Sequence, residues 1–429
     1  MTTTYDPHHP AYFEEADLRE ELTRAYDLCH GCRMCVGYCT AFPTLFDFVD
    51  NRDQVVEALT AAEQDQVVDE CFNCKMCFVK CPYIPPHEWE LDFPRLMLRA
   101  QAVRVRKGTK PLPQRIADQA LSRTDLAGKV NVAASPVVNK LVVPPGTPVR
   151  KAMEKVLGIA SQRVLQPYAR ERFSTWFRKR VKPWIDEKRG RVAVFPTCLV
   201  EYQAPAIGKD AVRVLERNGV ECSVPDVGCC GAPWLHAGDV DAFRRQAAKN
   251  LPVLADMVRA GNDVVVPQPT CGFVLKNDYR DYVGGPDAEL VASRTYDAAE
   301  YLWKVHKERG GLDTDFHGEV PATVTYHAAC HLQAQRVGLK SRDLLKLTGA
   351  KVTVVAKCSS IDGTWGYRAA NYPLAKKVAQ PLARDLERAG GDVICGDCHL
   401  ANGSIREETG RDPENPLSLL ARAYGIPEE

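Results

Sequence analysis

The sequence predicts an all-α module joined to α/β domains: an α-helical, cysteine-rich N-terminus, then a duplicated unit of parallel sheets covered by helices. Three observations predict it. Two compact cysteine runs stand before residue 82, with helical sequence between them. After residue 190 the chain reads twice through one alternation of apolar strands and amphipathic helices. The charge also changes sign at the seams. Residues 1–100 carry 8 Lys+Arg against 18 Asp+Glu, residues 101–190 carry 20 against 6, and residues 191–429 carry 28 against 31. A net charge of +1 thus conceals −10, +14 and −3. The 17 cysteines divide the same way, as eight, none and nine. These seams set the expected boundaries: an N-terminal module at 1–100, a basic connector at 101–190, and two repeated domains at 191–310 and 311–429.

The cysteine count narrows the chemistry. The N-terminal residues MTTTYDPHHP show no basic segment leading into an apolar core, so no export signal is expected. No apolar stretch reaches the roughly 18 residues of a membrane span. The expected location is cytoplasmic, where thiols serve metals or redox chemistry rather than disulfides. Near-zero net charge favours no nucleic acid, and no reader motif accompanies the basic connector. No glycine-rich dinucleotide fingerprint follows a strand, so the chain should hold neither flavin nor nicotinamide.

In the N-terminal module the runs are Cys29-HG-Cys32-RM-Cys35-VGY-Cys39 and Cys71-FN-Cys74-KM-Cys77-FVK-Cys81-Pro82. Both have the C-x2-C-x2-C-x3-C spacing of two-cluster ferredoxins, whose fourth cysteine ligates the other cluster. Three cysteines on one wrapped loop reach three irons of a cubane, and the fourth cannot. The expected sets are Cys29, Cys32, Cys35 and Cys81 for one [4Fe–4S] cluster, and Cys71, Cys74, Cys77 and Cys39 for the other. Zinc is the alternative, but zinc pairs are separated by spacers. Thr40 stands where the second run has Pro82. Residues 53–70, DQVVEALTAAEQDQVVDE, predict a helix between the runs.

Prolines divide the connector into short helices and turns. Phe173, Trp176, Phe177 and Trp184 alternate with Arg172, Arg178, Lys179, Arg180 and Lys182. The favoured reading packs these aromatics on neighbouring domains while the basic side chains neutralise the acidic module. The alternative is peripheral contact with an anionic membrane on its cytoplasmic face.

In the duplicated region, RVAVFPTCLVEY, GCCGAPWLHAGD and DVVVPQPTCGFVL are answered by ATVTYHAACHLQ, KCSSIDGTWG and DVICGDCHLANG. Cys198 pairs with Cys330 at 132 residues, Cys229 with Cys358 at 129, and Cys271 with Cys398 at 127. The cysteines follow strand ends, where open α/β sheets place their ligands. His327, His331 and His399 flank the second set and are expected as structural histidines, with ligation or proton transfer the alternative. Asp362 and Trp365 are expected to shape the loop beside it. Cys222 lacks a counterpart and should be a buried thiol. His8 and His9 lie in a terminus expected to fray.

This pattern resembles the cysteine-rich CCG domain, C-xn-CCG-xn-C-x2-C, of heterodisulfide reductase. The whole order of module, connector and two such domains resembles the iron–sulfur subunit of anaerobic glycerol-3-phosphate dehydrogenase, and the glycolate oxidase iron–sulfur subunit is similar. Cys81-PYIPPHEWELDFPRLMLRA, MEKVLGI, FSTWF and CSSIDGTWG look closest to heterodisulfide-reductase-related proteins found beside rubrerythrin. The resemblance implies four-iron clusters at Cys198, Cys229, Cys230 and Cys271, and at Cys330, Cys358, Cys395 and Cys398. Both sets depart from the five-cysteine pattern. Gln268 or Pro267 stands where Cys271 should have a partner, and Ser359 and Ser360 replace the second Cys and the Gly of CCG. Four thiolates suffice for a cubane; cubane and non-cubane forms both stay open. The resemblance further implies an electron-transfer subunit serving a flavoprotein dehydrogenase and passing electrons to a quinone or other carrier. It assigns no catalytic residue. The alternatives are a heterodisulfide-reductase-like enzyme that reduces a disulfide, electron supply to a rubrerythrin-type partner, and a zinc-bearing scaffold.

Overall fold

The computed structural model describes residues 5–361 and 364–427, so Asp362 lies outside the described residues. The N-terminal module is helical throughout: α1 (Glu15–Cys32), α2 (Ala41–Asp50), α3 (Ala61–Glu70), α4 (Met76–Lys80) and α5 (Phe93–Lys107). Leu22, Tyr26, Phe42, Leu45, Phe93 and Met97 form its core, and the cysteine loops pack on that core's edge. The helix expected over 53–70 is interrupted. Asp53 and Gln54 adopt left-handed backbone, and Val56–Ala58 is a single 3-10 turn. The helix restarts because Thr60 and Glu63 form a capping box: Glu63 N–H donates to Thr60 Oγ1 at 3.3 Å and Thr60 N–H donates to the Glu63 carboxylate at 2.8 Å. Among the described residues, His9 caps the 3-10 turn Pro10–Phe13, where Ala11 N–H donates to His9 Nδ1 and Tyr12 is fully buried.

Connector helices run over Leu112–Ser122, Thr124–Ala133, Ser135–Leu141, Pro148–Leu157 and Phe173–Lys179. Pro113, Pro136 and Pro148 stand in first turns, where the missing N–H costs nothing. Phe173 and Trp176 are buried against Val200, Ala211 and Leu215 of the first repeat, so these two rings do pack on a neighbour. Trp184 is 89% exposed. Arg104, which pairs with Asp65 and Asp69, sits on α5 of the module itself. The basic residues interleaved with the aromatics turn elsewhere: Arg172, Arg180 and Lys182 pair with Glu201, Glu216 and Glu221 of the first repeat, not with the acidic module.

Two parallel sheets follow. The first contains β1 (Gly190–Val194), β2 (Val220–Ser223), β3 (Asp263–Val266) and β4 (Thr295–Asp297), in order β2-β1-β3-β4. The second contains β5 (Thr323–His327), β6 (Lys351–Val355) and β7 (Val393–Gly396), in order β6-β5-β7. β4 has a residual counterpart, a single parallel bridge from Cys395 to Glu414, which leads into helix Pro416–Ala423 as β4 leads into Ala298–Glu308. Cys222 is 2% exposed in β2 and packs among Val212, Val220 and their neighbours, as a buried thiol.

Candidate functional site

In each repeat the first strand lies between the second and third, so the chain reverses direction across the sheet between β1 and β3, and again between β5 and β7. Loops leaving strand ends at such a switch point bound a crevice. Cys198 opens the helix after β1 and Cys271 lies in the helix Pro269–Phe273 after β3. Cys229 and Cys230 arrive on the loop after β2. The four meet: Cys229 Sγ is 4.0 Å from Cys198 Sγ, and Cys230 Sγ is 3.3 Å from Cys271 Sγ. Cys198 and Cys229, Cys230 and Cys271 thus form two adjoining thiol pairs in a largely apolar wall.

Residues that no spacing rule identifies hold this loop. Asp125, on connector helix Thr124–Ala133, accepts the Cys229 N–H at 2.8 Å. Asn250 Nδ2 donates to the Cys229 carbonyl at 2.9 Å, and its Oδ1 accepts from Gly228 N–H. Asp125 is 104 residues from Cys229, so only the fold reveals its part. Gly231 sits at φ +93°, and a Cβ there would meet the Phe243 ring at 2.8 Å. Its N–H donates to Cys229 Sγ at 3.4 Å.

The second repeat builds the same turn from other residues. Ser360 takes the left-handed conformation at φ +57°, and its N–H donates to Cys358 Sγ at 3.2 Å. Its hydroxyl lies 2.7 Å from the Ser359 carbonyl and 2.6 Å from the Ala375 carbonyl, and donating its one proton there offsets the roughly 1 kcal/mol cost of that conformation for a residue with a Cβ. Cys330, Cys358 and Cys398 line one pocket. Cys395 does not join them. It lies within β7 beside Tyr326 of β5, fully buried among Val324, Ala328 and Leu332. Cys74, from the N-terminal module, lines that pocket instead.

The equivalence of Cys271 with Cys398 needs correction. With β1 and β5 aligned through Cys198 and Cys330, Val265 and Cys395 occupy the same rung. Cys398 immediately precedes helix His399–Thr409, as Gln268 immediately precedes helix Pro269–Phe273. Gln268, not Cys271, therefore occupies the place of Cys398. Cysteine-to-cysteine spacing missed this because Cys271 sits three residues further on, inside the helix.

In the N-terminal module, burial raises the Cys29 thiol well above its usual value, followed by its neighbours Cys35, Cys81 and Cys32. Burial likewise raises Cys77, followed by Cys74, Cys71 and Cys39. Each thiol thus has the fourth cysteine of the other run among its neighbours. Among the described residues no three His, Cys, Asp or Glu side chains close to single-ion geometry. A cubane's ligands each bind a different iron. All-thiol sets at the edges of apolar cores suit that chemistry.

The modules adjoin at these cysteines. Burial raises Cys358 well above the usual thiol value, and Cys74 and Cys330 follow as the next causes. Trp365 Nε1–H donates to the Asp69 carbonyl at 2.7 Å, and its ring lies 5.2 Å from Phe72. His331 sits at the junction of all three units: Nδ1 is 2.9 Å from Thr270 Oγ1, and Nε2 is 3.2 Å from the Asn73 carbonyl. His327 Nε2 is 3.0 Å from the Lys357 carbonyl, and burial lowers its pKa. Burial also lowers His399, to about 4.

Family models match these regions. The cysteine-rich CCG domain covers residues 192–276 and 324–402, and the Fer4-like domain of citrate utilization protein B covers 19–110. The chain is 31% identical over 307 residues to a subunit of the anaerobic glycerol-3-phosphate dehydrogenase of Escherichia coli (strain K12), spanning 71% of this chain and 76% of that one. It is 29% identical over 229 residues to an uncharacterized iron–sulfur protein of Methanococcus maripaludis, spanning 52% of this chain and 42% of the relative. Lactate utilization protein A of Shouchella clausii is 27% identical over 216 residues, 48% of this chain and 87% of its own. With two CCG repeats behind a Fer4-like module, the chain belongs to the CCG-domain iron–sulfur protein family that includes this anaerobic glycerol-3-phosphate dehydrogenase component.

Proposed function

We propose that this chain is the iron–sulfur electron-transfer subunit of an oxidoreductase, accepting electrons from a flavin dehydrogenase and delivering them to a quinone or another carrier. One observation carries the reading: the thiol groups are contiguous. Cys74 lines one pocket with Cys330, Cys358 and Cys398, and Cys398 also faces the cavity lined by Cys198, Cys229, Cys230 and Cys271. Cys29, Cys32, Cys35 and Cys81 would hold one [4Fe–4S] cluster, and Cys71, Cys74, Cys77 and Cys39 the other. Cys198, Cys229, Cys230 and Cys271 would hold a further four-iron cluster, with Cys330, Cys358 and Cys398 at a fourth site. Bound clusters supply one-electron redox chemistry. The protein's part is to bring the thiols together, exclude water from them and fix their order. The dehydrogenase partner is carried over from the glycerol-3-phosphate dehydrogenase component to which the chain is similar.

Anaerobic purification followed by iron, sulfide, zinc and electron paramagnetic resonance analysis tests the reading. About 12 to 16 irons per chain are expected from three or four four-iron clusters. Zinc without sulfide would sink it. Donation to a rubrerythrin-type partner would show as oxidation of the reduced chain by that protein but not by a quinone.

A further inference from the structure

The second repeat is one thiol short. Four cysteines converge in the first repeat, whereas only Cys330, Cys358 and Cys398 of the second line its pocket. Ser359 replaces the other CCG cysteine, and Cys395 is withdrawn into β7. Cys74 reaches the pocket too, but it belongs to the second cysteine run. A four-iron cubane takes one ligand per iron, so these three thiols leave one iron unclaimed.

One lone pair on the pocket wall is free. His327 ends β5, three residues before Cys330, and is 2% exposed. Its Nε2 lies 3.0 Å from the Lys357 carbonyl. A carbonyl only accepts, so Nε2 carries the ring proton and Nδ1 is a bare acceptor. Nδ1 is buried without a hydrogen-bond partner, and among the described residues no other such side-chain atom lines this pocket. His331 also lines it, but both its nitrogens are engaged, by Thr270 and by the Asn73 carbonyl. A histidine that binds metal through one nitrogen commonly gives its other N–H to a backbone carbonyl, which fixes the tautomer. His327 has that arrangement, and the carbonyl belongs to the residue before Cys358, so the bond ties the imidazole to a thiol-bearing loop.

The first repeat shows what this position does elsewhere. With β1 and β5 aligned through Cys198 and Cys330, His327 takes the place of Phe195, and FPTC becomes HAAC. The repeat with four convergent thiols has a buried phenyl ring there, and the repeat with three has an imidazole.

We propose that His327 is the fourth ligand of the second-repeat site, its Nδ1 lone pair binding the iron that Cys330, Cys358 and Cys398 leave unclaimed. No proton is displaced, because Nδ1 carries none. A neutral ligand in place of a thiolate favours the reduced cluster, so this site should have a raised potential. The inference rests on the reading of those three cysteines as a cluster site.

The test uses the full chain, purified anaerobically with its iron in place and its histidines isotopically labelled at nitrogen. Pulsed electron paramagnetic resonance of the reduced protein should show strong coupling to one directly bound histidine nitrogen. His327→Ala should abolish that coupling. His327→Cys should restore an all-thiolate site, with iron retained, the coupling lost and one cluster's one-electron equilibrium shifted roughly tenfold or more toward oxidation, about 59 mV. Absence of the coupling in the iron-replete wild type overturns the proposal. So does its persistence in His327→Ala, which would move the ligand to another histidine. Loss of one cluster in Ser359→Ala but not in His327→Ala would give the place to the serine hydroxyl, against the proposal. If His327→Ala fails to fold, the labelled wild type and His327→Cys decide, with an unchanged potential in the latter as the contrary result. Metal analysis keeps the two readings apart. About 16 irons per chain without the coupling would remove the ligand and keep the cluster; about 12, with or without a zinc, would remove the fourth cluster and its ligand together.

Discussion

At the residue scale, two buried carboxyls meet where the repeats adjoin. Burial raises the Asp397 carboxyl above its usual range, and hydrogen bonds from the Ser341 and Tyr326 hydroxyls oppose that shift. Asp297, the N-cap of helix Ala298–Glu308, is pushed up from 3.8 to about 7 by burial and then by Asp397. Between those values the folded chain holds a proton that the unfolded chain has released. Stability should therefore fall as pH rises from about 4 to 7 and then level off. Asparagine caps a helix as well as aspartate and carries no charge. Asp297→Asn should gain about 1–2 kcal/mol at pH 8 and little at pH 4; urea midpoints at both values would show it, and parallel pH profiles would refute it. Gly231 offers a second test. Ser360 accommodates the same turn because its hydroxyl finds two carbonyls, whereas a side chain at 231 meets Phe243. Gly231→Ser should cost about 1–3 kcal/mol; if Cys229 and Cys230 hold a cluster as proposed, the variant should also lose iron faster than wild type.

At the element scale, helix starts decided what could be read from the sequence. The two cysteine runs could be picked out because their thiols lie within short loops, where spacing alone constrains geometry. The strands were legible as apolar runs closing on cysteine loops. The interruption before α3 was written in the Thr60 to Glu63 capping box, yet apolar periodicity on either side concealed it. Thr60→Ala should cost about 1 kcal/mol, measurable as a lower urea midpoint. The place of Gln268 was not legible, because matching cysteine to cysteine skips three residues that only the helix start at 269 reveals. Asp125 and the connector helix that carries it were beyond local patterns altogether. Helix Thr124–Ala133 approaches so closely that a Cβ on Gly128 would lie 2.3 Å from the Tyr202 ring. Gly128→Ala should lift this helix, cost about 1–3 kcal/mol and loosen the loop that Asp125 holds. Unchanged iron retention in the first repeat would argue against that coupling.

At the scale of the whole molecule, the charge asymmetry and the thiol contiguity are two sides of one assembly. The acidic module is fastened to the repeats by particular contacts around its second cysteine run, not by bulk charge alone. Lys75 lies 4.7 Å from the Phe273 ring centroid of the first repeat. Asn73 meets His331, and Trp365 reaches back to Asp69 and Phe72. Trp365 is 5% exposed, so its ring fills the seam between the Cys71–Cys81 run and the Cys358 loop. Replacing it with alanine removes packing and the indole donor together, a loss of about 3–5 kcal/mol. Trp365→Phe keeps an aromatic ring and should lose only about 1 kcal/mol with the hydrogen bond. The alanine variant should raise hydrogen exchange in α3 and the residues before Cys74 while α1 and α2 keep their protection. If the seam sets the order of the thiol groups, the alanine variant should also retain its iron but reduce an added acceptor more slowly, with the phenylalanine variant close to wild type. Equal exchange and equal rates in all three proteins would show that the module docks elsewhere.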